Sequence, residues 1–143
     1  MFGKILVPVD LQDIEFSLNA LKLALREIDD GATQLHLITV LPGFGNSYVS
    51  SFLGESEHKA VVKTVAQDLN DYAAKYVGAK IKPILKVIEG SAPEEINRYV
   101  AKAGIDLVIL RAHQRSKLNE FLLGSVSARV VERACCSVMV LKN

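Results

Sequence analysis

Compact apolar runs alternate along this chain with longer segments in which apolar residues return every third or fourth position. The first run, Lys4-Ile-Leu-Val-Pro-Val9, lacks the polar alternation of a half-exposed strand. It predicts a parallel strand covered on both faces, with Pro8 near its end, where a missing N–H matters least. Ile14, Leu18, Leu21, Leu25 and Ile28 follow at spacings of 4, 3, 4 and 3. That period predicts a helix with these residues as its buried stripe, stopped by Asp29-Asp30-Gly31. A second strand spans Leu35 to Val40 and closes at Pro42-Gly43. After a Gly- and Ser-rich loop to about Ser56, of a length that is often functional, Val61, Val65, Leu69, Tyr72 and Tyr76 predict a helix from about Glu57 to Tyr76. Lys80 to Glu89 reads as a strand that Pro83 consigns to a sheet edge. Ser91-Ala-Pro-Glu94 has the spacing of a capping box for a helix carrying Ile96, Tyr99 and Val100 and ended by Gly104. The last third reads as strand Leu107 to Leu110, a basic loop, Gly124-Ser125 opening a helix over Val126 to Ala134, and strand Val138 to Leu141.

Five strands alternating with four helices predict an α/β domain over residues 1–143: a doubly wound parallel sheet with helices on both faces. Such sheets bind ligands beyond the strand C-termini, where strand order reverses. With the first strand beside the fourth, that crevice is lined by Val9-Asp10 and Leu110-Arg111.

Composition narrows the function classes. With half the residues hydrophobic and 23% charged, the chain is expected to fold as a packed domain. A net charge of +1 argues against a broad nucleic-acid footprint. No apolar run reaches the roughly 20 residues of a membrane span. The N-terminus runs straight into a strand, so no signal peptide is expected and the predicted location is cytoplasmic. Cys135 and Cys136 are adjacent, and no spaced Cys/His pairs suggest a metal site. They read as strand-entry thiols, one inward and one outward.

Candidate chemistry collects at the predicted strand ends. Asp10 could accept hydrogen bonds from a ribose hydroxyl, help hold a phosphate-bound metal, or cap the next helix. Gly124 would let backbone approach an anion, Ser125 and Ser127 offer hydroxyls, and the helix start adds free N–H groups and about half a positive charge. Arg111, His113, Arg115 and Lys117 form a basic loop opposed by Glu120; taken alone, such a run is most simply a solvated face. Neither G-x-x-x-x-G-K-[ST] nor a G-x-G-x-x-G after the first strand is present, and there is no G-x-S-x-G elbow.

Ile5-Leu-Val-Pro-Val-Asp10, the second strand ending at Val40, Leu122-Leu-Gly-Ser-Val-Ser127 and Arg133-Ala-Cys-Cys-Ser-Val-Met-Val140 together resemble the universal stress protein family over essentially the whole chain, in its UspA-like, nucleotide-binding F/G-type subgroup. The resemblance implies sheet order 3-2-1-4-5 in a Rossmann-like, adenine nucleotide alpha hydrolase-like fold. It implies homodimers paired through Val138 to Leu141, and a stress-response role with ATP, AMP or ADP bound, Mg²⁺ accompanying polyphosphate. It places Pro8, Val9 and Asp10 near ribose and base, Val40 at the adenine edge, and Leu110, Arg111 and Gln114 in the first glycine region. Gly124, Ser125, Val126 and Ser127 form its phosphate turn. The chain departs from the family's Gly-x-x-Gly, nine residues, Gly-Ser/Thr pattern: Arg111 and Gln114 stand at the two glycines, although nine residues still separate Gln114 from Gly124. Arg111 could block backbone approach to phosphate or bond it directly. Two rivals follow: a dimeric interaction module whose crevice is sealed by Arg111 and Gln114, and an ATP-cleaving or nucleotidyl-transferring enzyme. The second lacks any visible positioned base or Walker-type lysine, so any hydrolysis should be slow.

Overall fold

The computed structural model describes residues 2–28, 31–42, 55–112 and 124–142. Among them, β1 (Lys4–Pro8), α1 (Ile14–Glu27), β2 (Gln34–Leu41), α2 (Glu55–Tyr76), β3 (Ile84–Glu89), α3 (Ala92–Ala103), β4 (Leu107–Ala112), α4 (Ser125–Arg133) and β5 (Ser137–Lys142) follow in order. The strands form one sheet, β3-β2-β1-β4-β5, with every pairing parallel. Strand order reverses between β1 and β4, the order that the family resemblance implies.

The apolar runs are explained by burial on two faces. Ile5, Leu6 and Val7 are all fully buried. Ile5, Val7, Leu37 and Ile109 pack with α1 and α2, whereas Leu6, Ile38, Val108 and Leu110 pack with α3 and α4. Successive strand side chains alternate between these layers, so Ile5 to Val7 leave no position for a polar residue, although β2 buries His36 and Thr39. β3 is an edge strand, and its pairing with β2 begins at Ile84 opposite His36. It is shorter than the predicted 80–89 because Pro83 has no N–H to enter the ladder.

Two local readings are corrected. On α1 the buried residues are Ser17, Ala20, Leu21 and Ala24, while Ile14 is exposed. The helix lays small side chains on the sheet, which allows close approach, and Leu18 and Leu25 pack only at the flank. At α3 the box Ser91 to Glu94 does not form: Ser91 is the N-cap, but its side chain makes no capping bond. Its carbonyl takes the Glu95 N–H, and Pro93 stands in the first turn, where no donor is needed. Gly104 ends the helix as predicted, at φ 70°, a left-handed conformation that suits glycine.

The sheet carries one buried imidazole. His36 on β2 is almost fully buried. Its Nε2 donates to Gln34 Oε1 at 2.8 Å, and Nδ1 accepts from the Tyr99 hydroxyl at 2.6 Å. Burial, and secondarily the charge of Lys4, lowers its pKa from the ordinary 6.5. The folded state therefore favours neutral His36. Its contribution is complete above the unfolded value of about 6.5 and is lost as pH falls from there through the folded value. Urea unfolding from pH 7.5 to pH 5 should show a falling stability, with a shallower fall in His36→Gln.

Candidate functional site

The C-terminal ends of β1, β2 and β4 open into a cavity of about 750 Å³, within the range of small-molecule sites. The chain shapes its centre locally. The Val9 N–H still bonds the Ile38 carbonyl at 2.8 Å, after which the backbone leaves the sheet. Asp10 Oδ1 accepts the Gln12 N–H at 3.0 Å, fixing an Asx turn. The cap of α1 is Asp13, whose side chain accepts the Phe16 N–H. Asp10 is thus spared the capping role, and it stays exposed on the cavity wall.

Pro8, Val9, Asp10 and Val40 line one side of this space, and Leu110, Arg111 and Gly124 to Ser127 line the other. The fold therefore brings together ten of the eleven residues singled out in the sequence; the eleventh, Gln114, lies outside the described residues, as do His113, Arg115, Lys117, Glu120 and residues 43–54 of the long loop. Gly124 is the N-cap of α4, one position earlier than a Ser125 cap would require. Ser125 is exposed in the first turn. Ser127 is buried, and its hydroxyl makes a long contact, 3.5 Å, with the Arg111 carbonyl. It ties α4 to the end of β4.

Arg111 lies on the α1 side of the sheet. Its guanidinium carbon sits 5.3 Å from the centroid of the Phe16 ring, within cation–π range. With the side chain laid against Phe16, the cavity remains nucleotide-sized. Strand alternation sets its direction: Leu110 points to α3 and α4, so Arg111 points the other way, toward the α1 wall of the cavity.

Other wall residues come from helices read only as core. Phe16, Ser17 and Ala20 of α1, Val65 and Asp68 of α2, and Ala92 and Ile96 of α3 border the cavity. Ser17 Oγ meets the Tyr72 hydroxyl at 3.0 Å, bracing α1 against α2, and burial raises the Tyr72 pKa despite that bond. The small residues Ser17 and Ala20 inside an otherwise leucine-rich helix were the available signal. Among the described residues no group of three or more His, Cys, Asp or Glu is placed to hold a metal. Nor is any helix among them long and apolar enough to cross a membrane.

A family model described as "Universal stress protein family" matches residues 1–142. The chain belongs to the universal stress protein family. It is 29% identical to universal stress protein MJ0531 of Methanocaldococcus jannaschii, over all of this chain and 84% of that one. Universal stress protein MJ0577 of the same organism is 28% identical, over all of this chain and 96% of the relative. The solved structure of MJ0577 superposes with a TM-score of 0.79, covering 100% of this chain and 97% of the other at 26% identity. A universal stress protein solved in complex with cAMP gives a TM-score of 0.66 at 19% identity, covering 99% and 97%; at that identity the likeness is one of fold.

Proposed function

We propose that this universal stress protein binds an adenine nucleotide in the cavity above β1 and β4 and serves as a cytoplasmic stress-response protein, with at most slow hydrolysis. The observation that carries the reading is the convergence on one open cavity of Asp10, Arg111 and the first turn of α4. The carboxylate suits a ribose hydroxyl, while the guanidinium and the N-terminal amides of α4 suit a phosphate. Val9 and Val40 supply apolar wall for a base. A family member in complex with cAMP supports the ligand class. In this reading ATP, ADP and AMP are the candidate ligands, and any Mg²⁺ arrives with the polyphosphate.

The same reading pairs two copies through β5. That strand ends the sheet, and Met139 on it is exposed, so its outer N–H and C=O groups suit a second copy. Calorimetry on nucleotide-stripped protein tests the ligand, and sedimentation of the same samples tests the dimer. Binding of at least one adenine nucleotide below millimolar concentration, by a species of twice the chain mass, is expected. Silence toward ATP, ADP and AMP at millimolar concentration would leave the interaction module as the better account.

A further inference from the structure

Thr39 on β2 carries a polar group that the fold itself does not use. The residue is only 5% exposed and lines the cavity. Leu37, two positions earlier, packs with α1 and α2, so alternation turns Thr39 into the same layer. Its hydroxyl makes no hydrogen bond among the described residues. The other buried hydroxyl of that layer is fully engaged: Ser17 donates to the Ile14 carbonyl at 3.3 Å and meets the Tyr72 hydroxyl at 3.0 Å. A buried hydroxyl without a protein partner is costly and uncommon. Here the cavity is its outlet, and a ligand atom that replaces solvent there keeps the bond. Around it Val9, Phe16, Ala20 and Val65 make the wall apolar. A group with apolar faces and a polar edge suits such a place, and a heteroaromatic base has that form. Strand order supplies a second argument. Thr39 is on β2, Asp10 follows β1, and the first turn of α4 adjoins the end of β4, where Ser127 Oγ is 3.5 Å from the Arg111 carbonyl. Across β2-β1-β4, roughly 10 Å at ordinary strand spacing, the wall thus offers a base contact, a ribose contact and a phosphate contact in the order in which a nucleotide carries those parts.

We propose that Thr39 is the base-reading residue of this cavity: its hydroxyl bonds the edge of a purine whose faces lie among Val9, Phe16 and Val65. The inference rests on the nucleotide reading above and adds to it the residue that recognises the base and the layer the base enters. It is tested on the full chain, on Thr39→Val and on Thr39→Ser, by calorimetry with AMP, ADP and ATP and by thermal melts without ligand. Valine keeps the shape of threonine and removes the hydroxyl; serine keeps the hydroxyl. Thr39→Val is expected to weaken every nucleotide that binds wild type about tenfold, the loss expected for one hydrogen bond. The loss should agree within about threefold among the nucleotides that bind, because the base is common to them. Thr39→Ser should stay within about threefold of wild type. The ligand-free melting temperature of Thr39→Val should hold within about 2 °C or rise, since valine removes a buried hydroxyl that has no protein partner. Wild-type affinity in Thr39→Val, an equal loss in Thr39→Ser, or a loss that changes with the number of phosphates overturns the inference and leaves nucleotide binding intact. A ligand-free melting temperature more than about 4 °C lower in Thr39→Val, or failure of that variant to fold, shows that the hydroxyl already serves the fold and overturns it equally. Failure of all three nucleotides to bind wild type overturns both readings.

Discussion

Gly124→Val is expected to lower nucleotide affinity on the order of 100-fold while leaving the fold in place. Gly124 is the N-cap of α4 with φ −59° and ψ 157°, an extended conformation open to any residue. Valine there strains no backbone. Gly124 lines the cavity, so a branched side chain there is expected to crowd the first-turn amides that the proposed function assigns to phosphate. Losing about two charge-assisted N–H contacts, at the low end of their range, roughly 1.5 kcal/mol each, gives an effect of that size. The change at the cap itself should cost only about 0.5–1 kcal/mol. Calorimetry and a thermal melt on the same protein separate the two. Unchanged affinity in a folded variant would move the phosphate away from α4. A variant that loses affinity only in proportion to lost folding would count against a phosphate contact at Gly124.

The fold was legible because its central strands are compact and mostly apolar. Ile5 to Val7 and Leu107 to Leu110 are covered on both sides, and such runs separated by helical periods admit few arrangements. The helix faces were less legible. Leucines at helical spacing suggested the buried stripe of α1, and Leu21 and Ile28 are buried, but Ser17, Ala20 and Ala24 share that face, because close packing selects small residues as readily as large apolar ones. The rim of the site was readable for a different reason. Asp10, Arg111 and Gly124 interrupt their apolar surroundings where the chain leaves or re-enters regular structure. The walls were not readable, since Phe16, Val65 and Ile96 are ordinary core residues until α1, α2 and α3 are set around a gap. Asp68 gave no signal at all: a single acidic residue on the exposed side of a helical period looks like solvated surface.

The separation of scaffold from site yields the other large effect. Leu6→Ala should cost about 3 kcal/mol of folding stability, within the roughly 2–5 kcal/mol seen for buried leucines. Leu6 is fully buried in the central strand, paired with His36 on one side and Val108 on the other. Its side chain is packed among Ile38, Val100 and Val130 in the α3 and α4 layer. Neighbours fixed in a parallel sheet cannot collapse far into the space left behind, which places the loss above the simple transfer term. Against a typical total of about 5–15 kcal/mol, the variant stays folded at low temperature, with a lower midpoint in urea and an unchanged slope. Leu6 lies below Pro8, Val9 and Asp10, the part of this segment that borders the cavity. Nucleotide affinity measured well below the unfolding midpoint should therefore stay within about twofold of wild type, since the sites are distinct enough for near-additivity. A large affinity loss in the folded variant would mean that the α3 and α4 layer sets the cavity directly, and that the strand ends are not an independent platform for it.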